Sequence, residues 1–99
     1  MTVNMQAIHF SADKKLLVFI EKKLEKLGLY FDRIQKADVI LKLENSGQIK
    51  EKVTEIRISI PGTVLFVKEH AHTFEASVDT AVAALKRQIV RYKGRKSSY

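Results

Sequence analysis

The chain has no cysteine, and that absence removes disulfides, thiolate nucleophiles and zinc–thiolate sites together. It suits a reducing compartment. The four glycines, Gly28, Gly47, Gly62 and Gly94, are scattered, so no glycine-rich loop is available to cradle a phosphate. Paired carboxylates and a Ser/His/Asp order are missing as well, so neither catalysis nor a cofactor is expected. No apolar run approaches the roughly 20 residues that span a bilayer. The opening MTVNMQAIHF has no basic stretch followed by an apolar one, so it does not read as a signal peptide, and the expected address is the cytoplasm. His70 and His72 stand one residue apart without a sequence-adjacent cluster of ligands. They read as a solvated segment, with no metal site.

Acid is also absent where base is most abundant. From Lys86 to Tyr99 there are six basic residues (Lys86, Arg87, Arg91, Lys93, Arg95, Lys96) and no Asp or Glu. The rest of the chain is nearly balanced, so most of the net charge of +7 sits at one end. A segregated positive charge points to a polyanion, nucleic acid first. The helix macrodipole accounts for two or three cations near a helix C-terminus, not for six.

Ninety-nine residues, 45% hydrophobic and 29% charged, make one globular domain spanning 1–99. Val3 to Phe10 reads as a strand. Ser11 then reads as the N-cap of a helix running to about Leu27 and stopped by Gly28. Leu16, Leu17, Ile20, Leu24 and Leu27 form its apolar face, with Lys15, Lys22 and Lys26 opposite and an exposed Phe19 beside them. Tyr30 and Phe31 are expected to plug the end of the core. Ala37 to Glu44 alternates as a strand, with Val39, Leu41 and Leu43 inward. A turn at Asn45-Ser46-Gly47 and a polar lead-in, Gln48 to Lys52, precede a second alternation at Ile56, Ile58 and Ile60. Pro61-Gly62 turns the chain into a fourth strand, Val64 to about His70, of open register. A last helix, Thr73 to about Lys93, is expected to end at Gly94 and leave a basic, mobile tail. The pattern predicts an α+β fold of order β-α-β-β-β-α, a four-stranded mixed sheet with two helices packed on one face.

Arg87, Arg91 and Arg95 recur at four-residue steps along the last helix, with Lys86 and Lys93 on its other flank. Each can meet a different phosphate, and arginine adds bidentate geometry. Lys22, Lys23 and Lys26 supply a second patch on the first helix, diluted by Glu21 and Glu25. Two helices on one side of a sheet would join the patches into one surface with a groove between them.

The segment Leu24-Glu25-Lys26-Leu27 leading to Tyr30-Phe31-Asp32-Arg33-Ile34 resembles the ribosome hibernation promoting factor and protein Y family. So does Ser77-Val78-Asp79 followed by Leu85-Lys86-Arg87-Gln88-Ile89 and Lys93, and the resemblance covers essentially the whole chain. Its length is that of the short, single-domain form. The resemblance implies a non-catalytic translation inhibitor bound to ribosomal RNA of the small ribosomal subunit near the decoding centre. There it would block the messenger and transfer RNA path in stress or stationary phase. It further implies no small-molecule substrate, no membrane partner and a monomer off the ribosome. By position, Lys23, Lys26, Arg87 and Arg91 match the family's RNA-contacting residues. Ala84 stands where relatives usually carry a lysine, and Lys86 where many carry an acid. Two other functions fit the residues alone: a generic double-stranded RNA-binding module, and a peripheral membrane or protein-interaction module using the basic tail.

Overall fold

Period-two alternation in three segments and three- to four-residue spacing in two others become strands and helices respectively. The computed structural model describes residues 1–46 and 49–97. Its elements are β1 (Thr2–Ile8), α1 (Lys14–Tyr30), β2 (Lys36–Ser46), β3 (Ile49–Ile60), β4 (Thr63–Ala71) and α2 (Phe74–Ser97). The strands lie side by side in the order β1-β2-β3-β4. β1 is parallel to β2, from Thr2 opposite Lys36 to Ile8 opposite Lys42, and the other two pairs are antiparallel. The expected α+β order is the observed one.

Both helices share one core with the strands. Leu16, Ile20, Leu24 and Leu27 of α1 and Val78, Ala81, Leu85 and Ile89 of α2 close over Val39, Leu41, Ile56, Ile58 and Val67. Within it, the Thr54 and Ser77 hydroxyls, both fully buried, lie 2.6 Å apart. Ser77 donates to the Phe74 carbonyl at 3.0 Å, so Thr54 is the donor to Ser77 and no hydroxyl is stranded. This bond ties α2 to β3 at one position along the helix. β4 takes the register that puts Leu65 and Val67 toward the helices and leaves Val64 and Phe66 on the opposite, open face. Arg57 and Phe66 are cross-strand partners whose backbone groups turn away from each other, and Gln88 of α2 donates to the outward Phe66 carbonyl at 3.0 Å. Tyr92 donates to the Pro61 carbonyl at 3.1 Å, a second stitch from α2 to the β4 edge.

Several boundaries differ from the sequence reading, each for a local reason. β1 stops at Ile8 because His9 takes φ 63°, and Phe10 leaves to stack on Phe74 at 4.9 Å. With residues 10–12 so engaged, the N-cap of α1 is Asp13 rather than Ser11. Its carboxylate accepts from the Leu16 amide at 2.8 Å and complements the positive helix end. Gly28 does not stop α1, which runs to Tyr30; Gly28 instead gives the Met1 side chain room, since a Cβ there would lie 3.0 Å from the Met1 Cε. Gly94 does not end α2, so the tail expected from residue 94 is helix through Ser97. One glycine costs a helix about 1 kcal/mol, which Lys93, Arg95 and Lys96, all good helix formers, offset. The polar lead-in before β3 is strand from Ile49 onward, and Gly47 and Gln48 lie outside the described residues. Leu43 keeps inward parity but is 45% exposed, because it occupies the last row that β4 reaches and lies beyond the end of β1.

Candidate nucleic-acid interface

Contacts between the helices fix their relative direction. Lys23 of α1 bonds Asp79 of α2 at 2.8 Å, while seven residues further along α1 the Tyr30 ring lies beneath Lys86 and Lys93. Both numbers rise together, so α1 and α2 run parallel and their C-terminal halves lie side by side. Two negative helix ends then share one region, and cations there are favoured over any other location.

At about 100° per residue, Lys86 and Lys93 share the flank of α2 that faces α1. Their ammonium groups stand 4.9 and 5.0 Å from the Tyr30 ring centre, and Lys93 is also 5.4 Å from Phe31. Such contacts hold a cation at an exposed site by roughly 0.5–1 kcal/mol each. Phe31 plugs the core as expected and meets Tyr92 edge-on at 6.4 Å. Tyr30 does not plug it: at 40% exposed, it forms the aromatic floor of the seam between the helices.

On α1, Lys22 and Lys26 are exposed; at about 100° per residue Lys26 lies on the flank toward Tyr30, and Lys22 on the solvent crest of the helix. Lys23 is less free than its spacing implies. Its ammonium is shared between Asp79 and the Phe19 ring at 5.3 Å, and Phe19 itself is half-buried against the core, not an open stacking platform. Arg87 and Arg91 are exposed on the solvent ridge of α2, where with Val90 they line a shallow depression. The structure therefore gathers Lys23, Lys86 and Lys93 at the seam with Lys26 beside them, and sets Lys22, Arg87 and Arg91 outside it. Arg95 lies in α2, and its side chain is outside those described. Ala84 packs against the core on the far flank, two residues or about 200° from Lys86, so the two positions present side chains in different directions.

The open face of the sheet differs in kind. Lys42 bonds Glu55 at 2.6 Å and lies 3.5 Å from Glu44, which Lys68 meets at 3.2 Å. Hydrogen bonding to Glu55 raises the Lys42 pKa above its ordinary value, and hydrogen bonding from Lys68 lowers that of Glu44. The histidine pair does have a nearby carboxylate, against the expectation that it had none: Glu51, across the strands, lies 3.0 Å from the His70 Nδ1. Among the described residues no group of three or more His, Asp or Glu could hold a metal ion. No helix among them is long and apolar enough to cross a membrane. Arg57 leans over Phe66 at 5.7 Å beside a depression of about 650 Å³ that Asp38 and Glu55 also line. Anions interleaved with cations make that face a poor match for a polyanion.

Residues 3–97 match the model of the family described as Sigma 54 modulation protein / S30EA ribosomal protein. The chain is 28% identical over 98 residues to the ribosome hibernation promoting factor of Pseudomonas putida, covering 99% of this chain and 92% of that one. It is 30% identical over 79 residues to the ribosome hibernation promotion factor of Deinococcus radiodurans, covering 78% of this chain but only 41% of that longer protein. Among solved structures, the N-terminal domain of Thermus thermophilus Protein Y superposes with a TM-score of 0.80 at 27% identity, over 93% of this chain and 99% of that one. A ribosomal subunit interface protein from Coxiella burnetii shares the fold, with a TM-score of 0.84 at 20% identity, over 95% and 99%. Family model, relatives and fold agree, and the chain belongs to the protein Y and ribosome hibernation promoting factor family.

Proposed function

We propose that this chain is a non-catalytic, ribosome-associated translation inhibitor acting in the cytoplasm. It binds ribosomal RNA of the small subunit near the decoding centre and occludes the messenger and transfer RNA path in stress or stationary phase. The observation that carries the reading is the acid-free run of six cations along the second half of α2, set beside Lys22 and Lys26 of the parallel α1. The parallel pair of helices sets Lys86 and Lys93 across a seam from Lys26, with Arg87 and Arg91 on the outer ridge, a form suited to RNA backbone on either side of a groove. Family membership directs the reading to the ribosome.

Binding driven by phosphate neutralisation falls steeply with salt; six contacts lose about three orders of magnitude between 50 and 200 mM. The protein should co-sediment with small subunits in sucrose gradients and release over that range. Arg87→Ala with Arg91→Ala should weaken the association and leave the circular dichroism spectrum unchanged, because both side chains are exposed. Unchanged co-sedimentation of the folded double variant would remove the ridge from the interface. Equal affinity for a plain RNA duplex and for small subunits would favour a generic double-stranded RNA-binding module instead.

A further inference from the structure

The long basic face leaves one region of opposite character unused. On α1, Glu21, Glu25 and Leu29 follow one another at four-residue steps, running from the flank away from α2 toward the solvent crest. Lys22 and Lys26 form the neighbouring stripe, so the helix divides its charge lengthwise. Leu29 is 87% exposed, a large apolar side chain held in water at the rim of a groove of about 600 Å³. Met1, Val3, Phe31 and Ile34 line that groove, and Glu21, Glu25 and Asp32 stand around it. Among the described residues none of these three carboxylates takes part in an ion pair, in a chain that holds eighteen Lys and Arg. Glu21 and Glu25 are also one helical turn apart, where like charges repel and cost the helix stability. Alongside runs β1, at the edge of the sheet, with no strand on its outer side.

We propose that this groove is a docking site for an extended basic peptide segment of another protein, one apolar side chain flanked by Lys and Arg. The apolar residue sits against Leu29 and Ile34, the cations meet Glu21, Glu25 and Asp32, and the peptide backbone lies along the free edge of β1. Each feature needs its own part of that occupant. The carboxylates require cations, which excludes RNA and anionic lipid, while the apolar floor requires more than a bare polycation. Strand addition at β1 gives the backbone a place without disturbing the core. The inference goes beyond the ribosome-binding reading and does not rest on it, since it concerns the carboxylates and apolar groove on the β1 side of α1.

The test is a titration of the full chain, isotope-labelled for amide NMR, with a short synthetic peptide carrying one leucine between lysines and arginines. Saturable shifts are expected at Val3, Gly28, Leu29 and Ile34. Glu21→Gln with Glu25→Gln should weaken binding roughly fivefold to tenfold, as two surface charge pairs are removed. Leu29→Ser should weaken it by a similar factor, as should a peptide with serine in place of leucine. Arg87→Ala with Arg91→Ala should leave the affinity unchanged. These positions are exposed, so the variants keep the fold. Absence of saturable shifts, shifts centred on Lys22, Lys26 and α2, or equal affinity in the Glu21/Glu25 variant would overturn the proposal. So would an RNA oligonucleotide or an anionic vesicle perturbing the same groove amides. No ribosome enters the titration, so its failure and a failure of co-sedimentation are read separately.

Discussion

The two sides of the sheet use a similar number of cations to different ends. On the open face, Lys36, Lys42, Arg57 and Lys68 share the surface with Asp38, Glu44, Glu51 and Glu55, and most of these groups lie within ion-pair distance of a neighbour. On the helical side, α2 carries no acid from Lys86 onward; Lys86 and Lys93 are held over Tyr30 and Phe31, and Arg87 and Arg91 stand in solvent. Interleaved charge satisfies itself locally and presents little net field, whereas a one-signed surface projects its field outward and meets its counter-charge on another molecule. Total charge is therefore a poor guide to where a basic protein binds. Whether each cation has an anion beside it is the better one.

The largest effect should come from erasing the helical side alone. Replacing Lys22, Lys26, Lys86 and Lys93 together by alanine should reduce affinity for small subunits by at least about a hundredfold near 100 mM salt. The log–log salt slope should become shallower by roughly 3. The matching quadruple replacement of Lys36, Lys42, Arg57 and Lys68 should change affinity less than about threefold. Similar losses from both sets would abolish the distinction. The layer joining the two sides is tested next. Ser77→Ala strands the buried Thr54 hydroxyl and should cost about 1–3 kcal/mol in denaturant unfolding, and adding Thr54→Val should recover part of that loss.

A smaller effect is expected at Lys23, the seam cation that Asp79 holds. Asp79→Ala should lower stability by less than about 1 kcal/mol, because the Lys23–Asp79 pair is partly exposed. It should also tighten subunit binding about twofold by releasing Lys23 to the RNA, measured by co-sedimentation. The smallest effect is a pH dependence on the open face. Lys68→Ala removes the group that depresses the Glu44 pKa. Stability from a depressed carboxylate is present above its ordinary pKa and lost as pH falls through the lowered value. The Tm difference between Lys68→Ala and the parent should thus be visible at neutral pH and vanish toward about pH 3. The raised lysine follows the opposite course: the Lys42 contribution is present at neutral pH and lost as pH rises through its elevated pKa.

Periodicity made the architecture legible. Leu16, Ile20, Leu24 and Leu27, and again Val78, Ala81, Leu85 and Ile89, are buried as their spacing implies, because burial of a stripe is a property of the segment as a whole. Element ends were less legible, since they turn on single contacts made elsewhere in the chain. Asp13 rather than Ser11 caps α1 because Phe10 is drawn to Phe74, 64 residues away. Gly28 sits inside a helix, with the flexible tip of Met1 3.0 Å from where its Cβ would be. Within the site, composition identified the basic segment, but the division into seam and ridge required the parallel direction of α1 and α2. Tyr30 was read as core because an aromatic residue beside Phe31 has no sequence mark that separates a plug from a floor. The open-face ion pairs escaped notice for the same reason: Lys42 and Glu55 meet only through strand register.

The stitching of α2 to β4 has a consequence for assembly. Gln88 occupies the outward Phe66 carbonyl within β4 and Tyr92 the Pro61 carbonyl in the turn before it, so a strand adding at that margin meets the last helix, whereas β1 has no strand on its outer side. Fibrillar growth needs two receptive sides on every unit, because each newcomer must offer the next a place to join. With β1 the more open margin, two copies that paired there would consume it in both. Further growth through the sheet would then have to proceed past Gln88 and Tyr92 of the last helix.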